Sequence, residues 1–145
     1  MPLLNEHDIA FFRITGYCIQ PKAVEDDLIA RCREHVWANI PESPDHPEEW
    51  PNGKHFSSYT NHDPWAQSGP LQELATHESL VGVAKQLLGE NLYPAKAGSI
   101  LLRFPSRGEA YHPPTAGHLD NTCGHSFNTI TLLDTVQPRG GGFTI

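Results

Sequence analysis

Ala116-Gly117-His118-Leu119-Asp120-Asn121 sets a histidine and an aspartate two residues apart, between a Pro- and Gly-rich stretch and an apolar run. In extended backbone, side chains at i and i+2 leave the same face, roughly 7 Å apart. An imidazole nitrogen of His118 and a carboxylate oxygen of Asp120 can therefore converge on one ion. Joined by a second, distant histidine, they form the 2-His-1-carboxylate face that suits Fe(II) and leaves coordination positions open. No histidine follows His125, and the sequence stops at Ile145. With nine His in 145 residues, an H-x-D pair is a weak signal by itself. The competing reading is a polar pair at the start of a strand, with His118 hydrogen-bonded to a neighbour. The surrounding pattern has to decide.

A chain of 145 residues is long enough for one domain with a core and short for two. The formal net charge is −7, and the ten Lys and Arg are scattered. Without a basic patch, neither nucleic acid nor an anionic membrane surface is an expected partner. A small-molecule partner is expected instead. Cys18, Cys32 and Cys123 are far apart and form no C-x-x-C, which points to an intracellular, cytoplasmic setting and to cysteines acting as small buried hydrophobes. The N-terminus lacks the basic and apolar regions of a signal peptide, and no apolar run approaches a membrane span.

Outward from the pair, residues 127–134 alternate β-branched and apolar types and predict a strong strand, with Gly140-Gly141-Gly142 as a turn and Phe143-Thr144-Ile145 opening another strand. Residues 99–105 predict the strand before the His118 loop. Leu92-Tyr93-Pro94-Ala95 is a short extended piece. Further back, residues 71–88 predict a helix broken near His77-Glu78 and closed by Gly89. Residues 41–70 hold many Pro and Gly with Trp50 and Trp65, and read as an ordered irregular segment anchored by its aromatics. Val24, Leu28, Cys32, Val36 and Ile40 recur every fourth residue, predicting a helix over 24–40 stopped by Pro41. Tyr17-Cys18-Ile19-Gln20 reads as a short strand. Residues 5–14 form an amphipathic helix capped by Asn5 with Asp8, and ended by Gly16. Helices first and strands last suggest an α+β fold with a mainly β core.

Five pieces of this sequence resemble the phytanoyl-CoA dioxygenase family of Fe(II)- and 2-oxoglutarate-dependent oxygenases. They are Phe12-Arg13-Ile14-Thr15-Gly16-Tyr17-Cys18-Ile19; the helix from His77 to Leu87-Leu88-Gly89; Leu101-Leu102-Arg103-Phe104-Pro105; Gly117-His118-Leu119-Asp120; and the run from Thr131 through Gly140-Gly141-Gly142 to Ile145. Each is modest, but their order spans nearly the whole chain. The resemblance implies a double-stranded β-helix, a cupin-like jelly roll, carrying N-terminal helices. It implies one incomplete domain over 1–145, with residues 1–90 as helical support and 91–145 as the first strands. It implies His118 and Asp120 as two of three iron ligands. In the family the third ligand and the Arg that pairs with 2-oxoglutarate follow a Pro-Gly-Ser-His-like turn after the Gly-Gly strand. The chain is therefore expected to be a fragment lacking both, and inactive alone.

The implied chemistry uses Fe(II), 2-oxoglutarate and O2, releases succinate and CO2, and hydroxylates a C–H bond of an unidentified small-molecule or acyl substrate. Arg103 is the candidate cation for a carboxylate, since a guanidinium makes a two-pronged fork; its plainer role is a strand-end ion pair. Ile130 and Thr131 are candidates for lining the cosubstrate pocket, against a plain core role. Asn121 and Thr122 serve as turn formers or as partners of the ligands. His112 and His125 flank the site and are expected to be solvated. His35 belongs to the core edge. His46, His55 and His62 have no zinc-like spacing. Two other readings stay open: a non-catalytic jelly-roll binding module, and a cupin-type metal-dependent hydrolase or isomerase.

Overall fold

The computed structural model describes residues 3–51, 56–60, 62–92, 96–105 and 127–136. Its helices are α1 (Glu6–Thr15), α2 (Asp26–Trp37), α3 (Gly69–Ala75) and α4 (Glu78–Leu88). Two strands, β1 (Phe56–Tyr59) and β2 (Ile100–Arg103), pair antiparallel, with Phe56 opposite Arg103 and Tyr59 opposite Ile100. Single 3-10 turns at Pro47–Glu49 and Pro64–Gln67 order the irregular segment.

The start of α1 follows from two side chains. Asn5 Oδ1 accepts from the Asp8 N–H at 2.9 Å, and Asp8 Oδ2 accepts from the Asn5 N–H at 3.2 Å, so two otherwise orphaned donors are satisfied. Gly16, at φ +81°, closes the helix by donating to the Phe12 carbonyl at 2.7 Å. Yet α1 buries none of its residues, and Ile14 is 85% exposed.

The core forms around α2. Leu28, Cys32 and Val36 lie on its inner face, and Val24 and Ile40 carry the same four-residue spacing beyond its two ends. The expected helix over 24–40 is thus trimmed to Asp26–Trp37, while the buried stripe keeps its full length. Leu71 and Leu74 of α3 complete the cluster. Cys32 is fully buried and its thiol donates to the Pro70 carbonyl at 3.2 Å. Gly69, at φ +58°, opens α3 under the His35 ring, and a Cβ there would lie 3.4 Å from His35 Cε1. The sequence break near His77 is real: α3 ends at Ala75 and α4 restarts at Glu78.

Two expectations are corrected. Residues 17–20 form no strand, and residues 127–136 contain none either. Among the described residues neither finds a neighbouring strand to take up its N–H and C=O groups. Alternation selects a face, whereas ladder bonds require a partner. In the other direction, β1 was not expected. Phe56-Ser57-Ser58-Tyr59 lies inside the Pro-rich segment, and its pairing with β2 makes it a strand.

Candidate functional site

His118 and Asp120 lie outside the described residues, as do Asn121, Thr122, His112, His125, His55 and Cys123. The structure does describe the two flanks from which residues 106–126 leave and return, and both are tied to the helical part. On the near side, Gln72 Oε1 accepts from the Ala97 N–H at 3.3 Å, and Gln67 Nε2 donates to the Gly98 carbonyl at 3.1 Å. These bonds hold the approach to β2 against α3. Ile100 and Leu102 then face the core, while Leu101 and Arg103 face outward, as a period of two requires. Phe104, just after β2, is 6% exposed and packs on Trp50 at 5.4 Å between ring centroids. Trp50 stacks on Trp37 of α2 at 5.6 Å, and its Nε1–H donates to the Ser43 carbonyl at 2.6 Å. The aromatics of the irregular segment therefore act as anchors. Tyr59 and Trp65 form a second contact of the same kind at 5.0 Å.

On the far side, Phe127 meets Phe12 of α1 at 6.1 Å, and Leu133 packs against the α2 cluster. A long ion pair, Arg33 to Asp134 at 3.9 Å, joins the same segment to α2. Thr131 and Leu133 are half-buried, while Ile130 and Leu132 are each 57% exposed. Ile130 and Thr131 thus take different environments, and Arg103 is on the outward side of β2. Arg103 is exposed, a setting that also matches its plainer role at a strand end, whereas the exposed Ile130 does not take its plainer role in the core.

One cluster escaped the sequence reading. His46, Glu48 and Glu49 bring one potential ligand atom each to within 4.8 Å of one another, with His46 Nδ1 3.2 Å from Glu48 Oε1. Pro47 starts the tight turn that gathers them, and an H-P-E-E string was the available signal. All three are exposed, so water competes fully for any ion they could hold.

His35 Nε2 meets the Trp65 carbonyl at 3.0 Å, at the core edge. Burial pushes the Cys18 and Cys32 thiols up, which keeps them protonated and unreactive at neutral pH. Arg31 forks onto Glu73 at 2.7 and 2.8 Å and reaches Asp27 at 3.1 Å. That fork holds the Glu73 carboxyl below its usual range.

No family model matches this chain, and no curated protein or solved structure matches it either. No helix among the described residues is long and apolar enough to cross a membrane.

Proposed function

We propose that this chain is the amino-terminal part of an Fe(II)- and 2-oxoglutarate-dependent dioxygenase that hydroxylates a small-molecule or acyl substrate. The observation that carries the reading is the ordered series of motifs around Gly117-His118-Leu119-Asp120, running from Gly16-Tyr17 to Gly140-Gly141-Gly142. The anchoring of Phe104 and Phe127 is compatible with it, since both flanks of the loop that carries the pair are held against the helical part. The donor set also fits. An imidazole and a carboxylate suit Fe(II), and an incomplete protein shell leaves room for a chelating cosubstrate and O2. When bound, the iron supplies the centre at which 2-oxoglutarate is oxidised to succinate and CO2 as the substrate C–H bond is hydroxylated.

His118 has to be neutral and Asp120 ionised to bind, so metal affinity falls in acid. Arg103 is assigned to a carboxylate of cosubstrate or substrate. The third ligand and the second cation are assigned to sequence following Gly140-Gly141-Gly142.

The first test is to sequence the transcript past the codon for Ile145. A Pro-Gly-Ser-His-like turn and a later Arg are expected. The longer protein should then form succinate from 2-oxoglutarate with Fe(II), and His118→Ala or Asp120→Ala should reduce this to background. The 145-residue chain alone should form none. A frame without that His, or turnover indifferent to His118→Ala, ends the reading.

A further inference from the structure

His77 occupies the break between α3 and α4 and touches two helices at once. As the N-cap of α4, it accepts the Ser79 N–H at Nδ1, at 3.3 Å. Its Nε2 lies 2.9 Å from Glu25 Oε2, and Glu25 is the N-cap of α2. The two contacts fix the tautomer. An Nδ1 that accepts carries no proton, so the single proton of the neutral ring sits on Nε2 and is donated to the carboxylate. The imidazole side chain is only 14% exposed. The charged groups around it are Glu25 from the start of α2, Glu73 from α3 and Glu78 from the first turn of α4; Glu73 is itself engaged by Arg31.

We propose that His77 is a proton-operated clasp between α2 and α4, which exchanges a helix cap for an ion pair when the ring takes up a second proton. That proton can only go to Nδ1. It turns the acceptor of the Ser79 N–H into a donor, so two N–H groups face each other and the cap of α4 is lost. At the same time the Nε2–H···Oε2 bond to Glu25 becomes charge-assisted and shortens toward the ion-pair range. A positive charge at a helix N-terminus opposes the helix dipole, which loosens the first turn of α4 further. Acid therefore frays the start of α4 while tightening its link to α2. The effect is local, and it does not depend on the dioxygenase reading.

The test is an NMR titration of the 145-residue chain from pH 8 to pH 5. The imidazole nitrogen spectrum should show His77 protonated at Nε2 and not at Nδ1 at pH 8. As the ring takes up its second proton the Ser79 amide should shift and lose about ten-fold in protection, after correction for intrinsic exchange, as expected for loss of a helix cap. In His77→Asn, where the side chain still caps but does not titrate, Ser79 protection should stay constant. A proton on Nδ1 at pH 8 would overturn the proposal, in the wild-type protein alone. So would the same pH course for Ser79 in His77→Asn.

Discussion

The α2–α3 region and the segments 96–105 and 127–136 both carry apolar side chains and use them differently. Around α2, the inward residues are buried and the outward ones are charged: Leu28, Cys32 and Val36 sit within the core while Arg31 and Arg33 face water. In the second region, inward Ile100, Leu102 and Leu133 pack on that same cluster, but the outward side is also apolar. Leu101 is 64% exposed, and Ile130 and Leu132 are each 57% exposed. A helix closes its backbone hydrogen bonds within itself and needs only one apolar stripe. A strand needs neighbours along its edges, and a sheet that is apolar on both faces needs cover on both. The α2–α3 region therefore keeps its apolar stripe inside, whereas the other two segments leave part of their apolar side chains exposed.

The largest expected effect tests that contrast directly. Leu28→Ala should lower stability by about 3 kcal/mol, as a buried leucine does when a cavity replaces it. Leu101→Ala should change it by less than about 0.5 kcal/mol. Urea denaturation of both variants decides. A large loss in Leu101→Ala would mean that the outer face of β2 is covered in solution, and the contrast would fail.

Next in size is Phe104→Ala, expected to cost about 3 kcal/mol. It removes the contact with Trp50 that ties β2 to α2 through Trp37. Trp fluorescence should change with it, because Trp50 loses a packed neighbour. Unfolding without any fluorescence change at that site would show that β2 is not held by this aromatic stack.

The smallest effect concerns acid stability. The Arg31 fork depresses the Glu73 carboxyl, and its own backbone N–H followed by His77 depresses Glu25. A depressed carboxyl stabilises the fold above the ordinary glutamate range, near pH 4.3, and that contribution is lost as pH falls through the lower folded-state value. Arg31→Ala should therefore lower the urea midpoint slightly at pH 7, less in high salt, and not at all near pH 2. A difference that persists in acid would mean that Arg31 acts through its aliphatic stem.

Much of the helical part was legible in the residues. Asn5 with Asp8, the four-residue stripe from Val24 to Ile40, and the break at His77 are local signals, and each helix needs only its own sequence to satisfy its backbone. The ion pair of Arg31 with Glu73 and the contact of His77 with Glu25 span 42 and 52 residues, and no local pattern announces them. For the candidate metal site, the spacing of His118 and Asp120 is a weak signal that only the family resemblance strengthens, and the structure describes only the anchored flanks on either side.

By itself, then, the sequence determined that helices form near residues 5–14, 24–40 and 71–88, where the last of these breaks, and which stripe of α2 is buried. Tertiary structure decided that Phe56-Ser57-Ser58-Tyr59 is a strand, that residues 127–136 form none, and that Trp37, Trp50 and Phe104 form one aromatic cluster. The physical reason is the range of the bonds involved. A helix draws its hydrogen bonds from four residues away, while a strand or an aromatic stack exists only when a distant segment arrives to complete it.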